Sequence, residues 1–200
     1  MSASQAGPGG RRVQRSTVER VAAVATTSVD GVFYRHAALN REAFAGGRDG
    51  RWGANFPVIY LGRPKTAPVV EAYRHLVDDT GVPAHAVKPR ILYTVRVSVQ
   101  GILDLTVAAN LDQAGLTLDH LSTGVYDYDR CQEVGAAAHQ LGYHGILAPA
   151  AHGLGQTLAL FRERITPREL PIVESEIVWN GLPPDPRLPR AVHIQKGKGA

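Results

Sequence analysis

ILYTVRVSV, residues Ile91–Val99, sets Ile91, Tyr93, Val95, Val97 and Val99 on one side of an extended chain and Thr94, Arg96 and Ser98 on the other. That strict alternation is the two-residue period of a strand with one face in a core and the other in water. A chain organised around such a strand is built on a sheet, and the flanking segments say what else it holds. Downstream, Ile102–Leu105 reads as a further short strand. Asp129–Leu141 (DRCQEVGAAAHQL) reads as a helix with Val134, Ala138 and Leu141 on one face. Gly145–Ala148, Thr157–Arg162 and Ile172–Trp179 read as strands.

Upstream, Thr66–Asp79 (TAPVVEAYRHLVDD) places Val69, Val70, Tyr73, Leu76 and Val77 at helical spacing. Thr66 is its expected N-cap, Pro68 is tolerated in the first turn, and Gly81 and Pro83 end it. Phe56–Leu61 (FPVIYL) is β-rich, with Pro57 suited to a strand start. Val32–His36 reads as the first strand and Thr17–Thr27 as a short helix. Ala45–Ala54 (AGGRDGRWGA) is too glycine-rich for a regular element. The expected class is α+β, with short mixed or antiparallel sheets and a few helices. No βαβ alternation is long enough for a doubly wound sheet. Residues 1–16 are expected to be a disordered tail, 17–180 the folded domain, and 181–200 a loose proline-rich tail.

Composition narrows the function classes. Hydrophobic residues make up 44% of the 200, enough for a sizeable core, while 21 glycines and 13 prolines promise many loops. A single cysteine, Cys131, rules out an internal disulfide and argues against a thiolate zinc cluster, as in a reducing cytoplasm. No apolar run nears the roughly 18 residues of a membrane span, and the arginines near the N-terminus lack the apolar stretch of a secretory signal. The net charge of +4 owes much to the two ends, which carry Arg11, Arg12, Arg15, Arg190, Lys196 and Lys198. Those ends lack interleaved aromatics, so direct nucleic-acid binding is not expected.

Four residues in order could share one chemistry: Arg35 at a strand end, Arg51 beside Trp52 in the glycine loop, Tyr60 on the next strand, and Glu71 early in the following helix. Guanidinium groups grip phosphate through a planar fork. A carboxylate near a helix start is held ionised by the dipole and can steady a sugar cation. A tyrosine offers a flat face to a ring. The plainer reading, surface ion pairs and a dipole-complementing glutamate, fits the spacing as well. Other features are weaker. GLGQT (Gly153–Thr157) precedes a strand and lacks the lysine of a phosphate loop, so a tight turn is the better reading. His139, His144 and His152 fit no standard zinc spacing, and no metal is expected. Cys131 lacks a linked base and reads as a structural thiol, and Trp52 reads as core.

The run FYR (Phe33–Arg35), GRW (Gly50–Trp52), PVIYL (Pro57–Leu61) and Glu71 in VVEAYRHL resembles the N-terminal half of the RES domain. CQEVGAAAH (Cys131–His139) and GILAPAAHGLGQTLALF (Gly145–Phe161) resemble its C-terminal half, so the likeness covers roughly residues 30 to 165. The resemblance implies a fold similar to ADP-ribosyltransferases, with NAD⁺ as substrate in a cleft between short sheets. It implies growth arrest through NAD⁺ cleavage by phosphorolysis or hydrolysis, with inorganic phosphate as a possible co-substrate. It also implies a cognate antitoxin carrying a DNA-binding part and leaves a homo-oligomer open. By carry-over, Arg35 and Arg51 bind the pyrophosphate or incoming phosphate, Tyr60 lines the nicotinamide pocket, and Glu71 holds the ribose and steadies its cation. His36 stands where relatives often have tyrosine, and Asp129 where the family serine falls, unless Ser122 takes that place. An aspartate facing a pyrophosphate repels it unless paired, for instance with Arg130. ADP-ribosyl transfer to a macromolecule, or a degenerate non-catalytic RES fold that binds a nucleotide or partner, are the alternatives.

Overall fold

The structure, a computed structural model, describes residues 16–124 and 127–188. The expected N-terminal tail, apart from Ser16, and residues 189–200 lie outside the described residues. Helix α1, Thr17–Ala22, is closed by a capping box between Ser16 and Glu19. Strand β1, Thr26–Ala38, leads through the glycine loop to β2, Val58–Arg63. Helix α2, Ala67–Tyr73, continues into a π-helical turn, Arg74–Asp78. Strand β3, Arg90–Asp104, is followed by α3 (Ala108–Gln113), α4 (Leu118–Ser122) and α5 (Asp129–Gln140). Strands β4 (Gly145–Pro149), β5 (Gln156–Phe161) and β6 (Ile172–Trp179) complete the order.

All six strands belong to one sheet rather than to several short ones. It runs β1–β2–β5–β4–β3 and closes on itself, because β3 also pairs with β1 from Arg90↔Ala38 to Leu103↔Thr26. β6 lies antiparallel on β3. Only β3 and β4 are parallel, joined by the crossover that carries α3, α4 and α5. The closed sheet has two buried surfaces. Phe33, Ile59, Leu61, Val95, Val97, Leu158 and Leu160 fill the inside. Val58, Ile146, Ala159 and Phe161 face outward under Trp52, Cys131, Val134 and Ala138. Strands buried on both faces read as continuous apolar runs, which explains GILA and TLALF. A third cluster, Val69, Ala72, Leu92 and Trp179, seats α2 beside β3.

Several boundaries differ from the sequence reading. β1 begins at Thr26, not Val32, because pairing with β3 extends strand geometry over polar residues. The two strands expected at Ile91–Val99 and Ile102–Leu105 are one, ending at Asp104, which passes through Gly101 at φ 65°. Thr66 is itself helical and makes no side-chain cap, whereas Pro68 does sit in the first turn. The short helices α3 and α4 fall where no element was predicted. Residues 181–188 are not loose. Tyr73 donates to the Pro183 carbonyl at 2.9 Å, and Arg187 pairs with Asp78 at 2.6 Å and Asp185 at 2.7 Å. These contacts strap the segment to the helix that carries Glu71. No described helix is long and apolar enough to cross a membrane.

Candidate functional site

Where α2 crosses the closed sheet, a cavity of about 230 Å³ opens between β1, β2, the start of α2 and the β4–β5 turn. Its lining includes Arg35, His36, Tyr60 and Glu71, four of the six residues singled out from sequence, together with Arg41, His75 and His152. Register explains the gathering. β1 and β2 meet at Tyr34↔Gly62, so Arg35 and Tyr60 lie beside the same crossing.

Arg35 sits at the cavity with its guanidinium largely withdrawn from water. It donates to the carbonyls of Tyr60 (3.2 Å) and Ala45 (2.9 Å), and its buried Nε has no partner. Burial, with Arg41 and Arg90 nearby, draws its pKa down to about 10. Among the described residues no carboxylate pairs with Arg35, and two of its five N–H donors are engaged.

Glu71 faces the opposite condition. Its side chain keeps 40% of its surface open through the cavity mouth while protein rings the rest. Burial, the largest single influence, pushes its pKa up, but the hydrogen bond from His75 Nε2, at 2.6 Å, and the positive charges around it together outweigh burial, and the carboxyl pKa falls to about 2. Arg74 at 3.9 Å adds to this. His75 is gripped from both sides, since its Nδ1 lies 3.1 Å from Asp79. Glu71, chiefly, and Asp79 raise its pKa, against burial. The sequence reading gave the helix dipole this work. Glu71 is the fifth residue of α2, however, and the dipole acts mainly within the first turn. The local charge comes from His75 instead. The spacing Glu71-x₃-His75-x₃-Asp79 was visible in the chain and was missed. The π-helical turn over Arg74–Asp78 marks the place where it aligns.

His36 Nδ1 accepts from Arg90 Nε at 2.8 Å, and its ring lies near-parallel to Trp179 at 6.2 Å. Burial and then Arg90 push its pKa to about 3, so it is neutral with its proton on Nε2. The Tyr60 hydroxyl accepts from the Trp52 backbone N–H at 2.9 Å, and burial holds the phenol protonated far above neutral pH.

Arg51 and Asp129 do not line this cavity. Arg51 donates to the His120 carbonyl (3.1 Å), to Thr123 Oγ (3.2 Å) and to the Thr123 carbonyl (2.7 Å), and lies 4.3 Å over the Tyr128 ring. Asp129 is exposed at the first turn of α5, and Arg130 pairs with Glu133 (3.6 Å) rather than with it. Ser122 Oγ donates to the Asp119 carbonyl within α4. The three histidines weighed as ligands are apart: His139 stacks on Phe56, His144 contacts Glu169, and only His152 reaches the cavity. Cys131 is buried, its thiol pKa raised by burial, and its S–H faces the His120 carbonyl. Gly153 and Gly155, at φ 76° and 89°, form the turn between β4 and β5.

This geometry can hold an anion at Arg35 beside a carboxylate at Glu71 that is ionised at neutral pH. The family model described as the RES domain matches residues 22–180. The chain is 30% identical over 165 residues to the NAD(+) phosphorylase MbcT of Mycobacterium tuberculosis H37Rv, and equally to that of Mycobacterium bovis; each match covers 79% of this chain and 88% of the relative. A chain of the crystal structure of the M. tuberculosis MbcT–MbcA toxin–antitoxin complex superposes with a TM-score of 0.72 at 29% identity, covering 82% of this chain and 92% of that one.

Proposed function

This chain belongs to the RES-domain family, and we propose that it is an NAD⁺ phosphorylase, a toxin that degrades NAD⁺. The observation that carries the reading is Glu71, ionised by His75 inside the cavity that also presents the unpaired guanidinium of Arg35. Loss of nicotinamide leaves positive charge on the ribose, and an anion fixed beforehand stabilises that charge without reorganising. Arg35 takes a phosphate group of the substrate, Tyr60 and neutral His36 line the remaining walls, and inorganic phosphate is the acceptor. Arg51 fastens the glycine loop instead of gripping phosphate. The closed sheet with α2 on its flank is read as ADP-ribosyltransferase-like. The kinship with a chain from a toxin–antitoxin complex supports a cognate antitoxin as partner. The test is NAD⁺ depletion by purified protein with and without phosphate. Phosphate-dependent appearance of ADP-ribose-1″-phosphate supports phosphorolysis. Free ADP-ribose alone indicates hydrolysis, and intact NAD⁺ in both arms removes the reading.

Two further results are expected from the same site. The His75–Glu71 pair stabilises the fold fully between the two ordinary values, 4.5 for the carboxylate and 6.5 for the imidazole. It weakens as Glu71 protonates toward pH 2, and as His75, ordinarily at 6.5, discharges above its raised value. In His75→Gln the burial of Glu71 is no longer countered by an imidazolium. The acid limb of kcat/KM for NAD⁺ should therefore move to higher pH, which a pH–rate profile reads directly; an unmoved limb would contradict the pairing. Arg51→Met should cost about 1–3 kcal/mol of stability, from hydrogen bonds of a charged group. Its KM for NAD⁺ should stay near wild type, and a large rise in KM with unchanged melting would return Arg51 to the substrate.

A further inference from the structure

We propose a second activity for this chain: cleavage of nicotinamide mononucleotide, with inorganic phosphate as acceptor and Arg41 as the residue that favours the mononucleotide's phosphate. The inference rests on the NAD⁺-cleaving reading above and adds that the adenylyl half of the dinucleotide is dispensable.

Size is the first ground. Cavities that enclose most of a drug-sized ligand run to about 300–1,000 Å³, and this one holds about 230 Å³. It suits a pyridine ring, one ribose and one phosphate, and the adenylyl half of a dinucleotide would extend beyond its mouth. The groups assigned to the chemistry, Arg35, Tyr60, Glu71 and His75, all line this one space. The lining has an apolar stretch formed by Leu61, Ala67 and Pro68, from β2 and the start of α2, to meet a ring. Charge is the second ground. A phosphate monoester carries about −1.5 to −2 at neutral pH, whereas each phosphoryl group of a pyrophosphate linkage carries one negative charge. The cavity offers Arg35 with donors to spare. It also offers Arg41, an exposed guanidinium close enough to Arg35 to depress its pKa and without a carboxylate partner among the described residues. Two such cations suit the more highly charged terminal phosphate.

The step balances without any further reagent. The bond between C1′ and the pyridinium nitrogen breaks, and its electron pair leaves with nicotinamide, which becomes neutral. A phosphate oxygen supplies the pair for the new C1′–O bond. The products are nicotinamide and ribose 1,5-bisphosphate, and the proton on the incoming hydrogen phosphate stays with the transferred group until it exchanges with water.

The experiment gives the purified full chain and its Arg41→Ala variant either NAD⁺ or nicotinamide mononucleotide, with phosphate, and follows nicotinamide release and the sugar phosphate by mass. For wild type, kcat/KM on the mononucleotide is expected within about tenfold of that on NAD⁺, because little binding energy comes from the adenylyl half. Arg41→Ala is expected to lower kcat/KM more for the mononucleotide than for NAD⁺. NAD⁺ cleaved while the mononucleotide stays intact, or only inhibits, overturns the proposal and spares the NAD⁺ reading. An equal loss on both substrates in Arg41→Ala overturns the role of Arg41. If neither substrate is cleaved, the NAD⁺ reading falls and this proposal with it.

Discussion

Glu71→Gln should lower NAD⁺ turnover by about 10²–10³-fold, the usual cost of deleting one preorganised electrostatic stabiliser. Glutamine keeps the shape of the side chain and can still meet His75, but it carries no charge. In the folded protein Glu71 is ionised down to about pH 2, so at neutral pH the substitution removes a full negative charge from the cavity proposed to hold the sugar. The loss should fall on kcat rather than KM, because the positive charge it meets exists mainly in the transition state. His75 retains Asp79 at 3.1 Å, so the helix should remain and the melting temperature should move little. Turnover within a few-fold of wild type would remove Glu71 from the chemistry.

The second large effect concerns the scaffold. Trp52→Ala should destabilise the protein by about 3–5 kcal/mol, the range for emptying a buried large aromatic site. For a domain of this size that corresponds to a fall in melting temperature of about 6–20 °C. Trp52 is 1% exposed and heads the largest fully buried side chains. Its backbone N–H donates to the Tyr60 hydroxyl. Its carbonyl lies so close to Gly135 that a Cβ there would meet it at 2.2 Å, so α5 and the glycine loop are in backbone contact. The side chain itself packs in one buried cluster with Val58 of β2 and with Cys131, Val134 and Ala138 of α5, so it joins the loop to both elements. Thermal unfolding reads the effect. A shift under about 2 °C, equivalent to about 0.5–1 kcal/mol, would contradict this role for the side chain.

Much of the outline was legible because it is written in local periodicity. The alternation in Ile91–Val99, the helical spacing after Pro68, and the helix Asp129–Gln140 all appear where expected. The glycine run 45–54 forms no helix or extended strand, only isolated bridges at Gly47, Gly50 and Gly53. β1 was underestimated because Thr26–Asp30 is strand only by virtue of pairing with β3, a partner sixty and more residues away. Helices α3 and α4 are too short to show a period. His75 was passed over because it looked like one more polar residue on an amphipathic helix.

The amino-acid sequence by itself determined the family, the sheet-forming and helix-forming segments, and the candidates Arg35, His36, Tyr60 and Glu71 that the fold brings to one cavity. The tertiary structure alone decided that Arg51 holds a loop to α4 through three hydrogen bonds, and that Asp129 stands outside the cavity. It also decided that His75, more than a helix terminus, keeps Glu71 charged. The reason is one of range. Propensity and periodicity act between residues a few positions apart, whereas whether a guanidinium meets a carbonyl or an open cavity depends on groups like Arg51 and Thr123, brought together only when the sheet closes.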